Sequence, residues 1–145
     1  DLHTYEVSFM LAAILKFFEL FTKLPKSVQE QIINAIILTL TFGFKRFFKK
    51  KKEEDLRKAT EEAVTPQQWN TTVAAVSNLM PSLYSQKKKE EFANSVVDLI
   101  RSNSFIKELS SRIEKINAND EETYVALCSI ETKRLIIEML EKNTK

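Results

Sequence analysis

The chain has 145 residues, a formal net charge of +2, and only one Gly, three Pro, one Cys and one His. The scarcity of Gly excludes hairpin-rich β architectures and phosphate-cradling loops. Cys128 alone excludes an internal disulfide, His3 alone leaves no zinc constellation or Ser–His–Asp site to assemble, and so small a charge gives no general field for nucleic acid.

The first helix is predicted from Tyr5 to Leu24. Ser8, Lys16, Glu19 and Lys23, with Ala12 in the same column, fall in a polar arc of roughly 80°. The rest of the circumference is apolar: Val7, Phe9, Met10, Leu11, Ile14, Phe17, Phe18, Leu20 and Phe21. Leu24-Pro25-Lys26 breaks it. Ser27 with Glu30 then reads as a capping box opening a second helix, which runs from Val28 into the block Lys45-Arg46-Phe47-Phe48-Lys49-Lys50-Lys51-Lys52. A polar stripe of Ser27, Glu30, Gln31, Asn34, Thr41, Lys45 and Lys49, interrupted by Leu38, marks its wet side. The two helices form an antiparallel hydrophobic hairpin holding eight of the ten phenylalanines.

This hairpin carries the candidate site. Phe17, Phe18, Phe21, Phe42, Phe44, Phe47 and Phe48 are the candidate membrane- or partner-binding residues. Lys45, Arg46, Lys49, Lys50, Lys51 and Lys52 are the candidate anion- or head-group-binding residues, since basic side chains beside an anionic surface contribute about 1 kcal/mol each. The bland counterpart is a bundle core with a charged exit. A full membrane crossing is disfavoured. The apolar run from Ile32 to Phe44 spans 13 residues, or about 20 Å of a core ~30 Å thick. Lys16 and Glu19 interrupt the first helix at about 2.5–3.5 kcal/mol each. No small-residue cleavage site follows the first apolar stretch, so a signal peptide is not expected.

Residues 53–64 are charged on nearly every face and are read as a linker or an extension of the second helix. The charge is asymmetric: residues 1–58 carry 11 basic and 7 acidic side chains, and residues 59–145 carry 11 basic and 13 acidic. Glu53, Glu54, Asp55, Glu61 and Glu62 have no His beside them and are expected to be solvated, not metal-bound.

Four amphipathic helices follow. Thr65-Pro66-Gln67-Gln68 is a capping box with Pro at the first helical position, ahead of a face of Trp69, Val73, Val76 and Met80. Ser85 caps the next, with Phe92, Val96, Leu99 and Ile100 inward. Asn103-Ser104 separates a third, carrying Ile106, Leu109, Ile113 and Ile116. Asn119 with Glu122 is a further capping box. The last helix has two apolar faces, one with Tyr124, Val125, Cys128, Leu135, Ile136 and Met139 and one with Leu127, Ile130 and Ile137, so it is expected to touch neighbours on two sides.

The expected fold is all-α, a helical bundle of about six helices. Its divisions are the hydrophobic hairpin ending in a polybasic run (1–52), the charged connection (53–64) and a four-helix unit (65–145). The expected function is non-enzymatic: an interaction protein that docks on a membrane surface or in a protein assembly through the hairpin and its lysines. The alternative is a soluble bundle that self-associates or binds a protein partner through an apolar face. A weaker one is anionic-ligand or nucleic-acid binding through Lys45 to Lys52. No cofactor or metal is expected. The expected partner is a protein or a second copy, with an anionic membrane surface next and nucleic acid disfavoured. A lone Cys fits an intracellular place, cytoplasmic or peripheral on the cytoplasmic face of a membrane.

Overall fold

The computed structural model describes residues 14–143, and these are all-helical, with seven helices and no strand among them. The part of the expected first helix before Ile14, with Val7, Phe9, Met10 and Leu11, lies outside the described residues. α1 covers residues 14–21. It is followed by α2 (Lys26–Lys50), α3 (Leu56–Ala63), α4 (Pro66–Leu79), α5 (Gln86–Arg101), α6 (Asn103–Ile113) and α7 (Glu121–Asn143).

α2 is the axis of the bundle and packs against α3, α4, α5 and α7. The hairpin therefore folds back on the C-terminal helices. Ile32, Ile36, Leu40 and Phe44 of α2 are fully buried with Phe17 and Phe21 of α1, Phe92 and Leu99 of α5 and Leu109 of α6 in one continuous core. Phe17 stacks on Phe21 at 5.0 Å and on Phe92 at 5.6 Å, which pins α1 to α5. Such ring pairs contribute about 0.5–1.5 kcal/mol beyond the area they bury.

The caps decide where the chain turns, and they correct the sequence reading at three places. The Ser27–Glu30 box does not form. Pro25 occupies the N-cap with no side-chain cap bond, so Ser27 is already inside the first turn. Gln29 acts in the other direction: its Nε2 donates to the carbonyls of Phe21 at 2.9 Å and Leu24 at 3.2 Å, and so closes the end of α1. α7 is capped by Asp120, one residue later than expected. Asp120 Oδ1 accepts from Thr123 N at 2.8 Å, and Oδ2 accepts from the Thr123 hydroxyl at 3.0 Å. Between α5 and α6 the joint is Ser102 alone. It ends one helix, opens the next and accepts from Phe105 N at 3.3 Å. The Thr65 box forms as read, with Gln68 N to Thr65 Oγ1 at 3.1 Å and Thr65 N to Gln68 Oε1 at 2.8 Å, and Ser85 caps α5.

The seventh helix is α3, inside the stretch read as linker or helix extension. The chain turns at residues 51–53, and the Lys50 carbonyl accepts from both Glu53 N and Glu54 N. Asp55 then caps α3 by accepting from Lys58 N at 2.7 Å. The fully buried Leu56 and Ala59 turn its inner face to α2. Charge on three faces hid a two-residue apolar anchor. The approach is close: a Cβ added at Gly43 would overlap Thr60 Oγ1 and stand 3.0 Å from Thr60 Cα. The chain's one glycine thus sits where two helix backbones nearly touch.

Candidate functional site

Of the seven candidate phenylalanines, Phe17, Phe18, Phe21, Phe44 and Phe47 are core side chains. In this fold they present no surface to a lipid or a partner. The reason is visible on α2: Phe44 and Phe47 share the inward column with Ile36, Leu40 and Gly43. Phe42 lies on the outer side and is 41% exposed. Phe48 is half-buried on the flank, with its ring 5.1 Å from that of Tyr124 in the first turn of α7.

The basic run divides in the same way. Arg46 Nε donates to Glu54 Oε1 at 2.9 Å, and the Glu54 side chain is buried. The expectation that Glu54 is solvated is corrected by this pair, which forms because the turn after α2 brings Glu54 back beside Arg46. Its second oxygen, Oε2, is buried without a hydrogen-bond partner. Lys50 pairs with Glu53 at 3.5 Å. Lys51 Nζ stands 6.0 Å from the Phe48 ring centroid and 5.7 Å from that of Tyr124, within the ~6 Å range of cation–π attraction. Lys45, Lys49 and Lys52 are exposed, and no ion pair involves them among the described residues. The spacing 38, 42, 45, 49 places Leu38, Phe42, Lys45 and Lys49 in one column on the outer face of α2, and Lys52 follows in the turn after it. Leu38, which interrupts the polar stripe in the sequence, is 68% exposed.

The second face of α7 is also open. The expectation that it touches a neighbour is corrected: Leu127, Ile130 and Ile137 are 36%, 52% and 38% exposed, and no described element covers them. The inward face is the expected one, with Tyr124, Cys128, Leu135 and Ile136 buried. α2 and α7 pack together, and the Phe48–Tyr124 contact joins the end of one to the start of the other, so they run antiparallel. Both turn one face to the same core.

Little else among the described residues has site chemistry. A cleft of about 270 Å³ between the end of α2, the end of α6 and the start of α7 is lined by Phe47, Lys51, Ile113, Glu114, Ile116 and Tyr124. It falls below the roughly 300–1,000 Å³ of small-molecule sites. Burial pushes the Cys128 thiol up to about 12, against the lowering influence of its hydrogen bond with Tyr124, so it is not a nucleophile. Burial, with Cys128 beside it, also raises the Tyr124 phenol well above its usual range. No group of His, Cys, Asp and Glu among the described residues could hold a metal ion, and no helix there is long and apolar enough to cross a membrane. Trp69 is buried in the core, with the Arg101 guanidinium 5.1 Å from its ring centroid.

No protein-family model, curated protein or solved structure matches this chain.

Proposed function

We propose that this chain is a non-enzymatic helical docking protein that meets a protein partner through the open apolar columns of α2 and α7. The observation that supports this is the pair of uncovered apolar columns, Leu38 and Phe42 on α2 and Leu127, Ile130 and Ile137 on α7. Large apolar side chains grouped on one surface, with polar neighbours around them, mark interaction sites. An intracellular place, cytoplasmic or peripheral on the cytoplasmic face of a membrane, belongs to the same reading and rests on the single, buried Cys128.

The test is photo-crosslinking from a reactive group at position 130, compared with one at the exposed Lys107 on α6, in the purified chain and in extract of cells expressing it. Adducts from position 130 and not from 107 support the reading. Equal yields from both, or none from position 130, overturn it.

A second reading has its own support in the column Phe42, Lys45 and Lys49, with Lys52 in the turn beyond it, which matches an aromatic side chain entering a lipid interface below head-group-binding lysines. Co-sedimentation with anionic but not neutral vesicles, lost when Lys45, Lys49 and Lys52 are changed to Gln, would carry it. A chain that pellets with neither vesicle sinks it.

A further inference from the structure

We propose that α3 is a strap that lifts from α2 as a unit while the rest of the bundle stays closed. Among the described residues, the buried side-chain polar atoms that lack a hydrogen-bond partner are Glu54 Oε2 and Thr60 Oγ1. Both belong to this one segment: Glu54 stands just before the Asp55 cap, and Thr60 lies in the middle of α3.

A buried polar atom without a partner has lost its water with nothing in return, and a carboxylate oxygen loses more than a hydroxyl. The Glu54 side chain is 6% exposed, and Arg46 satisfies only one of its two oxygens. Lifting α3 returns both orphaned atoms to water.

Little opposes that movement. The apolar hold of α3 is Leu56 and Ala59. The ion pair from Arg101 to Glu61 and the hydrogen bond from Arg57 to Asn103 lie at the exposed surface, where such contacts contribute little. α5, by contrast, buries Phe92, Ala93, Val96, Leu99 and Ile100. Eight residues are too few to hold a helix on their own, so the lifted segment melts.

Both neighbours of the strap are finished without it. α2 closes its own end, with the Lys50 carbonyl accepting from Glu53 N and Glu54 N. α4 opens on its own Thr65–Gln68 capping box, with Val64 buried just before it. The stretch of α2 that lifting uncovers is centred on Gly43, in the column that also carries Leu40 and Phe47. The chain thus has a closed and an open form, which differ in the apolar surface that α2 presents. The movement needs no partner.

The experiment is hydrogen exchange followed by NMR at single amides of the full chain, over a urea series below the unfolding midpoint. The amides of residues 59–64 are expected to share one rate, at least about tenfold faster than residues 92–100 of α5 and less dependent on urea. Gly43→Ala is the discriminating variant. Its added Cβ meets Thr60 only in the closed form, while its better helix propensity serves α2 in both forms. It is expected to speed exchange at residues 59–64 by at least about fivefold and to leave α5 unchanged. Adding Thr60→Ala, which removes the clashing hydroxyl and one orphaned atom together, is expected to reverse that change.

Equal protection of α3 and α5, with one urea dependence, means that α3 opens only with the whole bundle and overturns the proposal. Rates graded residue by residue from one end of α3 mean fraying and overturn it too, as does a Gly43→Ala change that speeds α5 as much as α3. Should Gly43→Ala fail to fold by circular dichroism, the wild-type rates decide alone.

Discussion

Replacing Gly43 by Ala should destabilise the protein, although in an ordinary helix the same change stabilises it. In a solvated helix interior Ala is better than Gly by about 0.8–1.0 kcal/mol. Here the new Cβ overlaps Thr60 Oγ1 and comes within 3.0 Å of Thr60 Cα and 3.1 Å of its Cβ. The hydroxyl could rotate away, but the Cα is backbone, so α3 must lift from α2. Overpacking of this kind costs about 1–3 kcal/mol. Set against the propensity gain, the net is a loss of roughly 1 kcal/mol, or about 2–4 °C in Tm for a chain of this size. The assay is urea unfolding followed by far-ultraviolet circular dichroism, comparing midpoints at a common slope. Thr60→Ala is the companion change. Thr60 Oγ1 is buried without a hydrogen-bond partner, so removing it should cost little and give a Cβ at position 43 part of the room it needs. The double variant should recover about 0.5 kcal/mol or more relative to the sum of the two single changes. A Gly43→Ala midpoint above that of the wild type, or no coupling to Thr60, would refute the close crossing of α2 and α3.

Three further outcomes follow from other contacts. Arg101→Ala removes a two-pronged pair with Glu61, both prongs at 2.9 Å, and the cation–π contact with Trp69. Both partners of the ion pair are well exposed, so the loss in urea unfolding should be only about 1 kcal/mol, with Arg101→Lys recovering part of it. The hydrogen bond from Arg112 holds the Glu138 carboxyl below its ordinary value of 4.5. A depressed folded-state value contributes stability that is present above 4.5 and lost as the pH falls through the folded-state value. The acid limb of a Tm–pH curve should therefore flatten in Glu138→Gln, and an unchanged limb would contradict the pairing. Cys128 is buried with its thiol raised to about 12, so a thiol reagent should label the native protein only as fast as it opens, at a rate that climbs with urea. Rapid labelling without urea would contradict that burial.

The longer elements of the bundle were legible because they carry local signals strong enough to survive tertiary packing. The Thr65-Pro66-Gln67-Gln68 box and Ser85 fall where they were read. What failed was local chemistry with two solutions. Pro25 and Ser27 compete to start α2, and Asn119 and Asp120 to start α7, and spacing alone does not choose between neighbours. α3 was hidden because its buried surface is only Leu56, Ala59 and Thr60, and its affinity for α2 depends on a glycine more than ten residues upstream. The site divided for a related reason. Helical spacing separates Phe42 from Phe44 and Phe47, but which column faces inward is set by the helices that surround α2. The same holds for α7, whose two apolar columns are plain in the sequence while the absence of a described neighbour on one of them is not.

Ser102 gives the chain a joint one residue long between α5 and α6. On either side of it, Arg101 grips Glu61 and Asn103 accepts from Arg57, and both partners lie one turn apart on α3. The eight-residue helix thus lies across the joint like a splint, held to α2 by the contact at Gly43 and to both arms of the elbow by polar side chains. A stretch whose composition suggests slack sets an angle instead. Through that angle the position of α6, and of α7 packed on it, is referred back to the central helix, so both inherit their alignment from the segment that looks least structured in the sequence.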